Sequence, residues 1–176
     1  MSITILKAGF QDLIQDLGRN GYTHMGISPT GAADNISFRI GNLLLGNNIN
    51  DPGIEITLFG GSYYFNTDAI IALSGSVFTS AIDGDMIPFF KPIVVKSGQT
   101  LTIGSTTNGA RCYLAIKGGF QVPYILDSSS THLLSNAGGF NGRNLKKNDE
   151  IICSSSDDIG IKNNIKFNMD DDRSML

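Results

Sequence analysis

Histidine and cysteine, the residues that most often build zinc and redox sites, are scarce in this sequence. Two of each occur in 176 residues: His24, His132, Cys112 and Cys153. The cysteines form no C-x-x-C pair and the histidines lack metal-ligand spacing, which argues against a zinc site. Because Cys112 lies in the apolar run 112–116, we expect it to be a buried, reduced thiol.

Charge is also sparse. Charged residues make up 16% of the chain and the formal net charge is -3. No cluster of lysine and arginine occurs, so the sequence offers no basic stripe for nucleic acid or an anionic membrane. The low charge density predicts that a partner covers part of the surface.

Long apolar runs and nucleotide-binding loops are missing as well. No apolar run approaches the ~20 residues of a membrane span, and Lys7, Gln11 and Asp12 interrupt any signal-peptide core. The patterns G-x-x-x-x-G-K-[ST], G-x-S-x-G and a post-strand G-x-G-x-x-G are absent. We therefore expect a cytoplasmic protein that binds neither a metal nor a nucleotide cofactor.

Short apolar and β-branched runs recur along the chain, and each ends at glycine, asparagine or proline. Such runs with frequent turns indicate an all-β barrel or sandwich. The predicted strands are 3–6, 54–58, 63–65, 69–73, 78–82, 93–95, 101–103, 112–116 and 151–153. Asp83-Gly84 between two of these runs predicts a two-residue hairpin turn.

One helix is predicted after residue 33. Asp34 or Asn35 can cap it, and Gly46-Asn47 can end it. Apolar residues at i, i+4, i+7 and i+8 predict the face that packs on the sheet. That predicted face consists of Ile36, Ile40, Leu43 and Leu44.

Charged residues between closely spaced glycines are the first candidates for a functional site. They lie in 15–21 (QDLGRNG) and 31–34 (GAAD). Asp16 and Arg19 either form a local salt bridge or leave the arginine free to bind a carboxylate. Asp34 is either a helix cap or a catalytic group.

Three further residues are candidates. Glu55 alternates with isoleucines, so it faces either solvent or a polar barrel interior in which its pKa would be shifted. Arg111, directly before an apolar strand, is either a structural clamp or an anion-binding residue. His24 is the histidine nearest to these groups along the chain.

An ordered series of motifs resembles one family. The matching segments are 7–10 (KAGF), 15–19 (QDLGR), 24–26 (HMG), 28–34 (SPTGAAD), 42–47 (NLLLGN), 54–55 (IE), 73–75 (LSG), 109–115 (GARCYLA) and 118–120 (GGF). In this order they resemble the family of allophanate hydrolase subunit 2, also called the biotin-dependent carboxyltransferase family. It includes the C subunit of ATP-dependent 5-oxoprolinase, the antagonist of the sporulation-kinase inhibitor and one half of the urea carboxylase carboxyltransferase domain.

The resemblance implies a cyclophilin-like β-barrel with one short helix and a site shared with partner chains. The resemblance first implies that the chain is a component of 5-oxoprolinase similar to the C subunit. Such a component would work with the A subunit and with a kinase-inhibitor-like B subunit. ATP then binds one of these partners. Asp16, Asp34 and Glu55 would be the orienting or acid/base carboxylates, and Arg19, His24 and Arg111 would bind the small-molecule substrate.

Other functions remain open within the family. The chain could act as allophanate hydrolase subunit 2 or as a urea carboxylase-type component, and biotin would take part only in that case. It could also be a non-catalytic binder of the sister protein, or a degenerate fragment.

The sequence departs from the family pattern in two respects. The family's glycine-serine-arginine-serine-threonine run is replaced by DSSST at 127–131. The chain also resembles only the N-terminal half of family members. We expect a barrel portion at 1–153 and an acidic, poorly ordered tail at 154–176 in place of the second half.

Overall fold

The computed structural model describes residues 1–154. The predicted tail lies outside this range, apart from residue 154. Within it the chain forms the strands β1 (Ser2–Lys7), β2 (Gln11–Gln15), β3 (Gly53–Thr57), β4 (Ser62–Phe65), β5 (Ala69–Gly75), β6 (Phe78–Ile82), β7 (Asp85–Met86), β8 (Ile93–Val95), β9 (Thr100–Thr106), β10 (Arg111–Ile116) and β11 (Glu150–Ile152). The α-helix α1 spans Asn35–Leu44, and 3-10 turns lie at Thr23–Met25 and Leu133–Ser135.

The strands form two antiparallel sheets. One sheet has the order β11-β1-β4-β9-β6-β7 and the other has the order β2-β3-β10-β5-β8. The prediction of a mainly β fold with one helix is confirmed for residues 1–154. The hydrogen bonds of this part of the chain do not close the two sheets into one barrel.

The core lies between the two sheets, because alternate side chains of their strands point toward the other sheet and are buried there. Ile3 and Ile5 of β1 are buried there together with Ile54 and Ile56 of β3. Cys112 belongs to the same cluster, and both cysteines are free and buried, as expected for Cys112. The apolar positions of the sequence therefore located the core.

Helix α1 covers the other face of the five-stranded sheet, but only partly through the predicted residues: Leu44 packs against the sheet. Its buried residues are Phe38, Gly41 and Asn42, whereas Ile36 is 74% exposed and Leu43 39% exposed. The predicted apolar face is therefore wrong at these two positions.

Close contact with the sheet sets the helix orientation instead. The Phe38 ring packs edge-on against Tyr113, with centroids 5.7 Å apart. A Cβ on Gly41 would lie 2.8 Å from Ser74 Oγ, and Asn42 Nδ2 donates to the carbonyl of Asp51. The helix face against the sheet thus includes a small residue and an amide, which the spacing of apolar residues did not predict.

The turn predictions were more accurate. Asp83 and Gly84 both have positive φ, 50° and 98°, and connect β6 to β7 as the predicted hairpin. Asp34 is the N-cap of α1, and Gly46 follows its C-terminal end with φ 65°. No helix in the part of the chain described is long and apolar enough to cross a membrane.

Candidate functional site

The two glycine-rich stretches lie against each other. Gly18 and Gly31 have φ values of +89° and +96°, and a Cβ on Gly31 would lie 2.7 Å from Gly18 N. Arg19 N donates to the Pro29 carbonyl over 2.7 Å, and Ala32 N donates to the Asp16 carbonyl over 2.8 Å. Such backbone contact requires residues without Cβ atoms. It brings Asp16 and Arg19 close in space to the segment that leads into α1.

Asp16 organises a buried serine loop. The residue is 1% exposed, and its Oδ1 accepts hydrogen bonds from Gly18 N, Ser128 Oγ and Ser130 Oγ. Its Oδ2 accepts one from Ser129 N over 2.6 Å. Hydrogen bonds of this number compensate the burial of a carboxylate. Asp16 therefore holds segment 128–130 against the end of β2.

Arg19 is also buried, at 2% exposure. It donates from Nη1 to Thr30 Oγ1 over 2.7 Å and from Nη2 to the Ser130 carbonyl over 2.6 Å. No ion pair joins it to Asp16 within residues 1–154, so the local salt bridge considered from the sequence is wrong. An anion would reach this guanidinium only if the loop carrying Ser130 moved.

A second cluster surrounds Glu55 on the outer face of the five-stranded sheet. Glu55 is 4% exposed, so the solvent alternative is wrong. The barrel-interior alternative is wrong as well, because the side chain is buried under the segment that leads to α1 and not in the core between the two sheets. Tyr113, its neighbour on β10, donates its hydroxyl to Glu55 Oε2 over 3.0 Å. Ala33 N donates to the same oxygen over 2.8 Å. Burial, with the nearby Glu55 charge, raises the pKa of Tyr113, so its hydroxyl remains a donor at neutral pH.

Arg111 connects this buried cluster to the surface. Its Nε lies 3.3 Å from Glu55 Oε1, and the two side chains are 39% and 5% exposed. The contact is an ion pair without hydrogen-bond geometry, since Arg111 Nε is buried and has no hydrogen-bond partner among residues 1–154. The terminal nitrogens of Arg111 make no hydrogen bond to residues 1–154, so they remain available to an anion.

Asp34 caps α1. Its Oδ1 accepts from Ile36 N and Ser37 N, and its Oδ2 accepts from Ser37 Oγ. The Ser37 hydroxyl, followed by the backbone N–H groups, lowers the pKa of Asp34. The backbone N of Asp34 donates to the Tyr113 hydroxyl over 2.8 Å. The cap is thereby joined to the Glu55 cluster through backbone, while its carboxylate serves the helix.

His24 lies apart from these groups. It is exposed on the turn Thr23–Met25, and its Nδ1 lies 3.0 Å from the Gly21 carbonyl. The other histidine, His132, contacts Ser28 Oγ through Nε2 over 3.0 Å. In residues 1–154 no group of three or more His, Cys, Asp or Glu side chains could hold a metal ion.

Sequence reasoning missed two sets of residues at these clusters. Tyr113 could have been predicted as a site residue. It follows Arg111 by two positions, and strand alternation places the two side chains on the same face of the sheet. Ser128 and Ser130 were noticed as a departure from the family pattern. Nothing local in the sequence connects them to Asp16, which precedes them by more than a hundred residues.

Comparison with known proteins identifies relatives over most of the chain. The family "Carboxyltransferase domain, subdomain A and B" matches residues 25–173. Urea amidolyase of Saccharomyces cerevisiae is 44% identical over 158 residues, 89% of this chain and 9% of that protein. The C subunit of 5-oxoprolinase from Escherichia coli is 40% identical over 154 residues, 88% of this chain and 50% of that protein.

A solved structure agrees with these matches. The urea amidolyase of K. lactis superposes with a TM-score of 0.85 at 40% identity, covering 86% of this chain and 9% of that one. The chain thus spans half the length of the bacterial relative and a small part of the fungal ones. The chain belongs to the carboxyltransferase domain family, whose members include the C subunit of 5-oxoprolinase and the urea amidolyases.

Proposed function

We propose that the chain is a component of an ATP-dependent 5-oxoprolinase, equivalent to part of its C subunit. The observation that carries the proposal is its 40% identity to the C subunit of E. coli 5-oxoprolinase across 88% of this chain. The sister components are an A subunit and a kinase-inhibitor-like B subunit. ATP binds to a partner, since this sequence has no phosphate-binding loop.

In this reaction the lactam ring of 5-oxoproline is opened to glutamate. The oxygen of water bonds to the lactam carbonyl carbon, the ring C–N bond breaks and the nitrogen takes a proton. Hydrolysis of ATP to ADP and phosphate drives the step. The chain contributes one wall of the site, and its partners complete it.

Arg111 and Glu55 form that wall. The partly exposed guanidinium of Arg111 can bind a carboxylate or another anionic group in two-pronged fashion. Glu55 is the positioning residue, because its buried carboxylate lies 3.3 Å from Arg111 Nε and is itself fixed by Tyr113 and Ala33. Asp16, Arg19 and Asp34 maintain the loops and the helix around the wall.

A second candidate is the carboxyltransferase step of a urea carboxylase. The higher identity to S. cerevisiae urea amidolyase, 44%, favours it. In that case a biotin group carried by another domain would deliver the carboxyl group, and Arg111 would bind the carboxylated species. The same wall serves either chemistry.

Reconstitution with partners separates the candidates. The chain is co-expressed with its cognate A and B partners, purified through a tag on the B partner, and assayed for ATP hydrolysis that depends on 5-oxoproline. Capture with turnover supports the 5-oxoprolinase proposal. Capture without turnover contradicts it and favours a non-catalytic binder, and activity only with urea, bicarbonate and a biotin carrier favours the second candidate.

A further inference from the structure

The dipeptide Asn-Gly occurs three times in the sequence, at 20–21, 108–109 and 141–142. In such a pair the backbone nitrogen of the glycine can attack the side-chain amide carbon of the asparagine, because glycine has no Cβ to obstruct the approach. The attack is slowed wherever the fold holds the glycine N–H in a hydrogen bond or encloses the peptide. The three pairs differ in this respect.

The peptide between Asn20 and Gly21 carries no such restraint. Both residues are exposed. The Gly21 N–H, the Asn20 carbonyl and the Asn20 side chain form no hydrogen bond with residues 1–154. A Cβ on Gly21 would meet nothing within 4 Å. The Asn20 amide is therefore open to water, and no hydrogen bond has to break before the Gly21 nitrogen attacks it.

The pair Asn141-Gly142 is enclosed. Asn141 is exposed, but Gly142 is buried. Gly142 N donates to the Gly138 carbonyl over 2.8 Å, and a Cβ on Gly142 would overlap the backbone of Asn136. The attacking nitrogen is thus engaged and surrounded, so the loop must open before the reaction can begin.

The pair Asn108-Gly109 is held more loosely. The Asn108 carbonyl accepts a hydrogen bond from Thr106 Oγ1 over 3.0 Å, and a Cβ on Gly109 would overlap Ser76 Oγ. The Gly109 N–H itself has no partner in the described part of the chain. The structure therefore ranks the pair at 20–21 as the most reactive, 108–109 as intermediate and 141–142 as the least reactive.

Asn20 also lies where a change of charge matters. It lines a polar cleft of about 440 Å³ whose charged lining residues are Arg39 and Asp127. Both of these side chains are exposed, and neither forms an ion pair within residues 1–154. One cation and one anion balance each other in the cleft. A carboxylate at position 20 would make the cleft negative and lower the formal net charge of the chain by one unit from -3.

We propose that Asn20-Gly21 is a site of spontaneous deamidation that converts this cleft from charge-balanced to acidic. The Gly21 nitrogen bonds to Asn20 Cγ, the Cγ–Nδ2 bond breaks, and Nδ2 leaves as ammonia with the proton from Gly21. Water then opens the cyclic imide. Addition at Cγ gives aspartate, and addition at the main-chain carbonyl carbon gives isoaspartate, which inserts one more carbon into the backbone. The reaction requires only water and is independent of the proposed function.

Peptide mass spectrometry of the aged protein tests the site. The full 176-residue chain is incubated at neutral pH and physiological temperature in water enriched in heavy oxygen, and is then digested with a protease that cleaves before aspartate. Heavy oxygen enters when water opens the imide, which separates ageing from deamidation during digestion. We expect conversion at Asn20 to be at least about tenfold faster than at Asn141. Labelling by isoaspartyl methyltransferase identifies the isoaspartate product.

The same chain supplies the control for sequence effects. When the protein is unfolded in guanidinium chloride, the three pairs should react within about threefold of one another, because the restraints of the fold are gone. Two variants test the mechanism. Gly21→Ala should slow conversion at Asn20 by at least about tenfold, since its methyl group obstructs the attacking nitrogen, and should leave Asn108 unchanged. Asn20→Gln should abolish the acidic form that ion-exchange chromatography resolves in the aged wild type.

Two results would overturn the proposal. One is conversion at Asn20 no faster than at Asn141 in the folded chain, although the two react alike in guanidinium chloride. The other is conversion that continues undiminished in a folded Gly21→Ala variant, as judged by circular dichroism, because the Gly21 nitrogen would then not be the attacking group. Neither measurement involves turnover by the complex, so the outcome leaves the proposed function untouched.

Discussion

Gly31 packs on Gly18 so closely that a Cβ on Gly31 would lie 2.7 Å from the backbone nitrogen and 2.8 Å from the Cα of Gly18. This contact holds the segment that carries Asp16 and Arg19 against the segment that leads to Asp34. Both parts of the candidate site depend on it, because the Ala33 N–H reaches Glu55 from the same segment.

Replacing Gly31 by alanine should therefore lower the free energy of unfolding by more than the strain of the left-handed backbone alone would. Gly21 is a matched control, because its φ of +95° is nearly the +96° of Gly31 while a Cβ there meets nothing within 4 Å. We expect Gly21→Ala to lower the free energy of unfolding by about 1–2 kcal/mol. The steric clash should add about 1–3 kcal/mol in Gly31→Ala. Urea unfolding of both variants measures the difference, and equal losses would contradict the contact.

Asp12 should give the fold a distinctive pH dependence. Its carboxylate is buried in the core, and burial raises its pKa above 3.8 although Gly9 N and Tyr63 Oη donate to it. A raised pKa means that the folded state retains the proton. The stability contributed by this preferential protonation of Asp12 is fully present below pH 3.8 and is lost as pH rises through the folded-state pKa.

The variant Asp12→Asn removes this titration. The free energy of unfolding of Asp12→Asn, measured relative to that of the wild type, should increase as pH rises above 3.8. The increase should be about 1.4 kcal/mol for each unit by which the pKa of Asp12 is raised. Asp68→Asn is the control, since Lys96 lowers the pKa of Asp68 and the relative change must have the opposite sign. Urea unfolding between about pH 3 and pH 8 measures both. Parallel curves for wild type and Asp12→Asn would contradict the prediction.

Asp16 should be essential for folding of the serine loop. In Asp16→Asn an amide nitrogen replaces one acceptor oxygen and faces donors, so at least one charged hydrogen bond is lost. We expect a loss of about 2–4 kcal/mol in the free energy of unfolding. The exposed Asp127→Asn should change it by less than about 0.5 kcal/mol. A loss below about 1 kcal/mol for Asp16→Asn, measured by urea unfolding, would show that the serine loop does not depend on the carboxylate.

Asp34 should behave as a helix cap and not as an acid or base. Asp34→Ala is expected to lower stability by about 1 kcal/mol, whereas Asp34→Asn, which can still cap, should lose only a few tenths. Because its pKa is lowered, this contribution is present above pH 3.8 and is lost as pH falls through the folded-state pKa. Turnover of the reconstituted complex is the decisive readout. Loss of activity in a stably folded Asp34→Asn would indicate a catalytic role.

The sequence predicted the elements whose signals are local. Strands such as β6 and β8 were placed at their observed ends, and Asp83-Gly84 forms the predicted turn because left-handed backbone at both positions leaves few alternatives. Strand β2 was missed, because Gln11, Asp12 and Gln15 make it look polar. Their burial depends on pairing with β3 and on contacts far along the chain.

Placement of the site residues required tertiary structure. The sequence identified Asp16, Arg19, Glu55 and Arg111 as unusual, but not the direction of their contacts. Asp16 and Arg19 are close along the chain and still bind different groups of Ser130, its hydroxyl and its carbonyl, since the turn at Gly18 separates their side chains. The orientation of α1 likewise depends on how closely Gly41 approaches Ser74, which periodicity alone does not reveal.

The most direct test of the proposed function is glutamate formation from 5-oxoproline by the complex of this chain with its A and B partners. We predict ATP-dependent turnover that falls at least about a hundredfold in Arg111→Gln and is unchanged in Lys91→Gln, with both variants captured by the B partner to the same extent as the wild type. An assembled complex that forms no glutamate, or one in which Arg111→Gln is fully active, would contradict the account.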